Sequence, residues 1–142
     1  MKPLLEIKLA AKLENLETLV HSVTACAKQQ GVSENTIPII ELVIEEAFVN
    51  ICNYAYPEGA GEVEITCILD NDRFTLEITD EGIPFDINSV LDPDITQDIS
   101  ERKIGGLGVF FMNKMADTIL YRREGNRNIL RIAIAGAEPE QA

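Results

Sequence analysis

Three short groups of residues carry the side chain types that chemistry needs. Glu46, Asn50 and Asn53 stand at i, i+4 and i+7, apart from an apolar stripe of Ile40, Ile44, Ala47 and Ile51. On a helix this spacing gathers a carboxylate and two carboxamides on one face. Most such faces are simply solvated. The residue types also suit phosphoryl chemistry. Mg²⁺ takes oxygen ligands and keeps several waters or phosphate oxygens, so one Asn oxygen beside a triphosphate can be its sole direct protein contact. A carboxylate one turn earlier can accept the proton of an attacking hydroxyl. The second group, Asp80-Glu81-Gly82, ends an alternating run. It reads as an ordinary turn, or as a carboxylate that accepts the exocyclic amine of adenine while the glycine lets the ring approach the backbone. The third group, Gly105-Gly106-Leu107-Gly108, opens an apolar stretch. A helix starting there offers free N–H groups to a phosphate, and glycines let the backbone wrap closely. The plainer reading is a flexible loop end with close helix packing. No Gly-Lys-Ser/Thr follows, so it is not a Walker motif, and it follows a loop, so it is not a Rossmann fingerprint.

The elements that must position these groups are legible from periodicity. Leu4–Ala10 reads as a first strand. Leu13, Leu16, Leu19, Val20 and Val23 recur at helical spacing and predict a helix to about Gln30, closed by Gly31. Ser33 or Asn35 can cap a second helix with Pro38 in its first turn, running to about Ala55, before Pro57 and Gly59. Val63, Ile65, Cys67 and Leu69, then Phe74, Leu76 and Ile78, alternate on either side of an Asp70-Asn71-Asp72 turn and predict a hairpin. Ile83–Ile104 shows no sustained period and reads as a long loop, a feature often tied to function. Val109–Ala116 continues as a third helix, and Thr118–Arg123 and Asn128–Ala135 form a second hairpin turning through Glu124–Arg127. The order β-α-α-ββ-loop-α-ββ predicts an α+β two-layer sandwich, with helices on one face of a largely antiparallel, mixed sheet.

The 142 residues suit a single domain over 1–142, with a frayed tail at 136–142. The formal net charge is −12, which excludes a general nucleic-acid binder and docking on anionic membranes. The charge is uneven: residues 1–101 carry a net of −15 and residues 102–142 a net of +3, so an anion can find a home near the C-terminal third. Hydrophobic residues make up 46% and aromatics 6%, enough for a largely aliphatic core. Cys26, Cys52 and Cys67 are odd in number and widely spaced, and read as buried reduced thiols. With no signal-like run in MKPLLEIKLAAKLE and no apolar stretch near the ~20 residues of a membrane span, the expected location is cytoplasmic.

Taken together, the order and spacing of Glu41-Leu-Val-Ile-Glu-Glu-Ala-Phe-Val-Asn50-Ile-Cys-Asn-Tyr-Ala-Tyr56, Asp80-Glu-Gly-Ile-Pro-Phe-Asp86 and Gly105-Gly-Leu-Gly-Val-Phe-Phe-Met112 are specific. They resemble the N, G1 and G2 boxes of the GHKL (Bergerat) ATP-binding fold, and within it the anti-sigma-factor serine/threonine kinases of bacterial partner-switching systems. The resemblance runs from about Leu4 to Ile134. It implies ATP and Mg²⁺, with Glu46 as general base, Asn50 as the metal ligand, Asp80 on the adenine amine and Gly82 lining the base. It places Gly105, Gly106, Leu107 and Gly108 at the lid-to-helix junction, with Gly106 and Gly108 on phosphate. Asn53 is a second polar contact, and Arg102 or Lys103 reaches the γ-phosphate from the lid. Two positions depart from the family: Tyr54 stands where His is common, and Asn128 where Thr is common. Asn128 keeps a donor, so adenine binding is expected to survive.

The resemblance implies phosphorylation of a STAS-domain anti-anti-sigma partner and sequestration of a sigma factor, with no direct nucleic-acid partner, no membrane partner and a possible homodimer. Two other readings stand beside it: an ATP-binding module that holds a partner with little or no transfer, and a GHKL kinase acting outside sigma-factor control. His21, the single histidine, lies before the nucleotide boxes and reads as an ordinary helix residue.

Overall fold

Five alternating segments form five strands, ordered β1-β2-β3-β5-β4 across one sheet. They are β1 (Leu5–Ala10), β2 (Glu62–Asp70), β3 (Arg73–Asp80), β4 (Thr118–Glu124) and β5 (Arg127–Ala135). The computed structural model describes residues 3–57, 59–70, 73–84 and 116–135. The third helix over 109–116, most of the loop over 83–104 and the tail at 136–142 lie outside the described residues, apart from the ends at 83–84 and 116. All four described strand pairs are antiparallel, so the mixed character expected of the sheet is not found among them.

The register places one apolar side chain opposite another across the whole sheet. Leu5, Cys67, Leu76, Ile132 and Ile119 form one cross-strand row, and Ile7, Ile65, Ile78, Leu130 and Tyr121 form the next. With period two, both rows point to the same face. The opposite face is mixed: Ile68, Leu120 and Ile129 lie there beside charged residues tied by ion pairs, including Arg131 between Asp70 and Glu77, and Arg127 with Glu64. These pairs are solvent-exposed or half-exposed, and each contributes little to stability.

Among the described residues, two helices cover the apolar face. Helix α1 (Leu16–Gln29), entered through a short 3₁₀ turn at Leu13–Asn15, buries Leu19, Val23, Cys26 and Ala27 at helical spacing. It ends in a Schellman motif. Gly31 takes φ 82° and donates to Lys28 O at 3.1 Å, and Val32 donates to Ala27 O at 3.1 Å while burying its own side chain. Helix α2 (Ile37–Asn50) buries Ile40, Val43, Ile44, Ala47 and Phe48. Pro38 sits in its first turn as the sequence predicts, but neither Ser33 nor Asn35 caps it. The cap position is Thr36, which makes no side-chain cap hydrogen bond. Instead Ser33 O accepts from Thr36 N at 2.9 Å, a turn that leads into the helix.

Both helices and strands β2, β3 and β5 meet in one buried cluster, a two-layer α+β sandwich. Cys26 and Cys67 are buried in it and Cys52 is half-buried, all as free thiols. Burial pushes the Cys67 thiol up to about 12 and the Cys52 thiol up to about 11, which leaves both unreactive near neutral pH. Phe48 and Phe74 are its largest fully buried side chains. Phe48→Ala is expected to cost about 3–5 kcal/mol, a large part of a typical stability of about 5–15 kcal/mol. Urea unfolding followed by circular dichroism measures this, and a loss below about 1 kcal/mol would remove Phe48 from the centre of the core.

Candidate functional site

At one end of the sheet the apolar face turns polar. The next cross-strand row reads Leu9, Val63, Asp80, Asn128 and Arg123. Asp80 and Asn128 are 5% and 4% exposed, so this end places a carboxylate and a carboxamide where water barely reaches. Groups so buried must be hydrogen-bonded. Asp80 Oδ1 accepts from the Gly82 backbone N–H at 2.7 Å and from Asn128 Nδ2 at 2.8 Å. Its other oxygen makes no hydrogen bond among the described residues.

Above this row, α2 gives way to a π turn at Ile51–Ala55. A cavity opens between the two. Ala47, Asn50, Ile51, Tyr54 and Ala55 line it from the helix, Ile78 and Asp80 from β3, and Tyr121, Asn128 and Leu130 from the second hairpin. Ile83 and Pro84 close one side. The wall is largely apolar with a few fixed polar groups, the usual make-up of a small-molecule site. π turns concentrate at functional sites. This one also explains where Asn53 goes. The i, i+4, i+7 spacing assumes 3.6 residues per turn, and the wider turn breaks that step between Asn50 and Asn53. Asn53 is exposed and is not among the cavity's lining residues, whereas Tyr54 and Ala55 are.

Of the residues singled out in the sequence, Asn50, Asp80 and Asn128 line one cavity. Asn50 is buried at 8% exposure. Glu46 lies one turn before it on α2, half-buried and outside the cavity wall. Burial pushes its carboxyl pKa up, and the neighbouring Glu45 charge adds to that. Arg102, Lys103, Gly105, Gly106, Leu107 and Gly108 lie outside the described residues. Among the described residues no cluster of three His, Cys, Asp or Glu side chains could hold a metal. Mg²⁺ takes oxygen ligands and keeps waters or phosphate oxygens, a set to which the Asn50 carboxamide could contribute one.

Gly82 is required for a reason the sequence reading did not give. A Cβ there would stand 2.3 Å from the Ala55 carbonyl oxygen and 2.6 Å from the Ala55 Cβ. The glycine lets its turn dock on the π turn, where Ile83 N donates to Ala55 O at 2.9 Å. Tyr56 ties the same corner: its hydroxyl accepts from Glu81 N at 2.8 Å and donates to Glu62 O at 2.6 Å. Three further contributors went unmarked in the sequence: Ala55, Tyr121 and Arg123. The signal for the last two was present, since Ile119, Tyr121 and Arg123 alternate and must share the inward face of β4.

Gly82→Ala is expected to push the turn off Ala55, lower the melting temperature and weaken Mg·ATP binding about tenfold or more. Calorimetric titration and a thermal melt check both, and unchanged binding would show that this corner does not shape the site.

The histidine kinase-like ATPase domain family matches residues 9–134. The chain is 28% identical over 130 residues to serine-protein kinase RsbW of Bacillus cereus (strain Q1), covering 89% of this chain and 81% of that protein. It is 27% identical over 130 residues to serine-protein kinase RsbW of Bacillus anthracis (strain CDC 684 / NRRL 3495), with the same coverage. Among solved structures, it resembles the histidine kinase domain of the Erythrobacter litoralis EL346 blue-light activated histidine kinase, with a TM-score of 0.56 and 15% identity. That alignment covers 87% of this chain and 60% of the other. It also resembles the Acinetobacter baumannii histidine kinase AdeS, with a TM-score of 0.54 and 16% identity over 92% of this chain and 68% of the other. At these identities the structural likeness speaks for the fold. With the family match across nearly the whole sequence and the same antiparallel α+β architecture, this chain belongs to the histidine kinase-like ATPase domain family.

Proposed function

We propose that this chain is an ATP-dependent serine/threonine protein kinase that phosphorylates a STAS-type anti-anti-sigma partner and sequesters a sigma factor. The observation that carries the reading is the meeting of Asp80, Asn50 and the Gly82 turn around one apolar cavity, in a chain similar to serine-protein kinases. Adenine enters between the apolar walls, and the unengaged oxygen of Asp80 accepts its amino group. A 6-oxo purine would set an acceptor against that acceptor, so ATP is favoured over GTP.

Asn50, on α2 at the cavity wall, would be the residue that holds the Mg²⁺ accompanying the triphosphate. The metal supplies charge neutralisation on the phosphates when bound. Glu46, one turn earlier, accepts the proton of the partner's Ser or Thr hydroxyl as that oxygen bonds to the γ-phosphorus and ADP leaves. Burial tunes Glu46 for this work by raising its pKa toward the working pH, where a base transfers protons best.

The same shift sets a pH signature. The folded chain binds the Glu46 proton more tightly than the unfolded chain does. Stability from that proton is complete below the unfolded pKa and is lost as pH rises through the raised folded value. At neutral pH the ionised Glu46 therefore opposes folding, and Glu46→Gln is expected to hold or raise the melting temperature. The same variant is expected to bind Mg·ATP and to lose about 10²–10⁴-fold in phosphate transfer to a STAS substrate. In the wild type, transfer falls as pH drops through the raised pKa of Glu46. Transfer of label from γ-labelled ATP to a purified STAS protein, measured across pH for both proteins, is the test. Undiminished transfer by Glu46→Gln would remove Glu46 as the base, and no transfer by the wild type would leave an ATP-dependent binding module.

A further inference from the structure

We propose that Arg123 is the positioning residue that sets base discrimination at this site, acting on Asp80 through Asn128 and the Gly82 turn. The proposal rests on the reading of Asp80 as the acceptor of the adenine amine.

The argument begins with the two N–H donors on Asp80 Oδ1, one from the Gly82 backbone and one from the Asn128 carboxamide. Each belongs to a group whose acceptor end is also engaged. Arg123 Nη1 donates to Gly82 O at 2.8 Å and to Asn128 Oδ1 at 3.0 Å. One guanidinium nitrogen thus grips both groups that fix the carboxylate. Arg123 Nε donates further to Gly125 O at 3.2 Å, which anchors the guanidinium to its own hairpin turn.

The carboxamide has no slack left. Asn128 Nδ2 donates to Asp80 Oδ1 at 2.8 Å and to Ile83 O at 2.8 Å, while Oδ1 accepts from Arg123 and from the Tyr121 hydroxyl. Both donors and both lone pairs are in use, so in this arrangement Asn128 has no donor left for a base. Its work is on Asp80. An asparagine amide can turn over and exchange its oxygen and nitrogen. Here a turnover would place oxygen against the acceptor-only carboxylate and NH₂ against a guanidinium that only donates. Tyr121 could serve either orientation, because a hydroxyl both donates and accepts. Arg123 cannot. It therefore holds the amide in the orientation that keeps Oδ1 of Asp80 occupied and leaves one carboxylate oxygen, in a fixed place, for a 6-amino group.

Arg123 is exposed, so shortening it leaves the core intact. Arg122 supplies the control. It is the next residue, faces the opposite side of the sheet and pairs with Glu124 at 2.7 Å. Mg·ATP and Mg·GTP affinities would be measured by calorimetry on the full chain, with thermal melts, for the wild type, Arg123→Ala and Arg122→Ala. Arg123→Ala is expected to weaken Mg·ATP about tenfold, a charge-assisted hydrogen bond's worth, and to leave Mg·GTP within about twofold. Arg122→Ala is expected to leave both unchanged. Equal losses for both nucleotides, the same losses in both variants, or intact discrimination in Arg123→Ala would each overturn the proposal. A wild type that binds Mg·GTP as tightly as Mg·ATP would overturn the reading of Asp80 itself, and the proposal with it.

Discussion

A carboxylate buried at the end of a hydrophobic sheet face governs this molecule. Asp80 closes the central strand on the side where every preceding inward residue is apolar. Water cannot satisfy it there, so the protein must, and the means at hand are the neighbours that antiparallel register provides. β5 supplies Asn128 directly opposite, β4 supplies Arg123 one strand further on, and the chain after β3 folds back so that Gly82 can donate. The requirement to pair one carboxylate thus shapes three strands and a turn, and leaves its other oxygen without a hydrogen bond among the described residues.

The helical layer answers the same need from above. α2 is an ordinary core helix through Phe48, with Asn50 at the margin where its apolar stripe meets its polar face. The π turn that follows re-aims the chain so that Ala55 offers its carbonyl to Ile83 and its methyl to the space that Gly82 leaves clear. The cavity is therefore a joint between sheet end and helix end, and neither layer makes it alone. Glu46 lies outside that joint, half-buried beside Glu45, where desolvation favours its protonated form.

The elements were largely legible in the sequence because alternation and helical spacing are local. Gly31 announced the end of α1, and both hairpins read from their periods. Asp80 stood out because it ends a strand and meets a glycine two residues on. The cap of α2 did not follow, because Ser33 spends its carbonyl on a turn and its hydroxyl lies near that of Thr36. The facing of Asn53 was not legible, because a π turn leaves no mark on an apolar period. Arg123 showed its facing in the alternation of β4, but not its partners. Its partners lie 41 and 5 residues away, and only the pairing of β3 with β5 brings them together. The exposed arginines of that hairpin look alike in sequence, and their facing separates them.

The sheet order carries one more consequence. β2–β3 and β4–β5 are local hairpins, and the seam between them joins Asp80 to Asn128, 48 residues apart. Closing a connection of n residues costs an entropy that grows only as its logarithm, about 0.6 kcal/mol for each doubling. A longer or shorter connection would therefore change the cost of closing the seam only slightly. The seam therefore rests on the pairing of the two hairpins, and only weakly on the length of the chain between them.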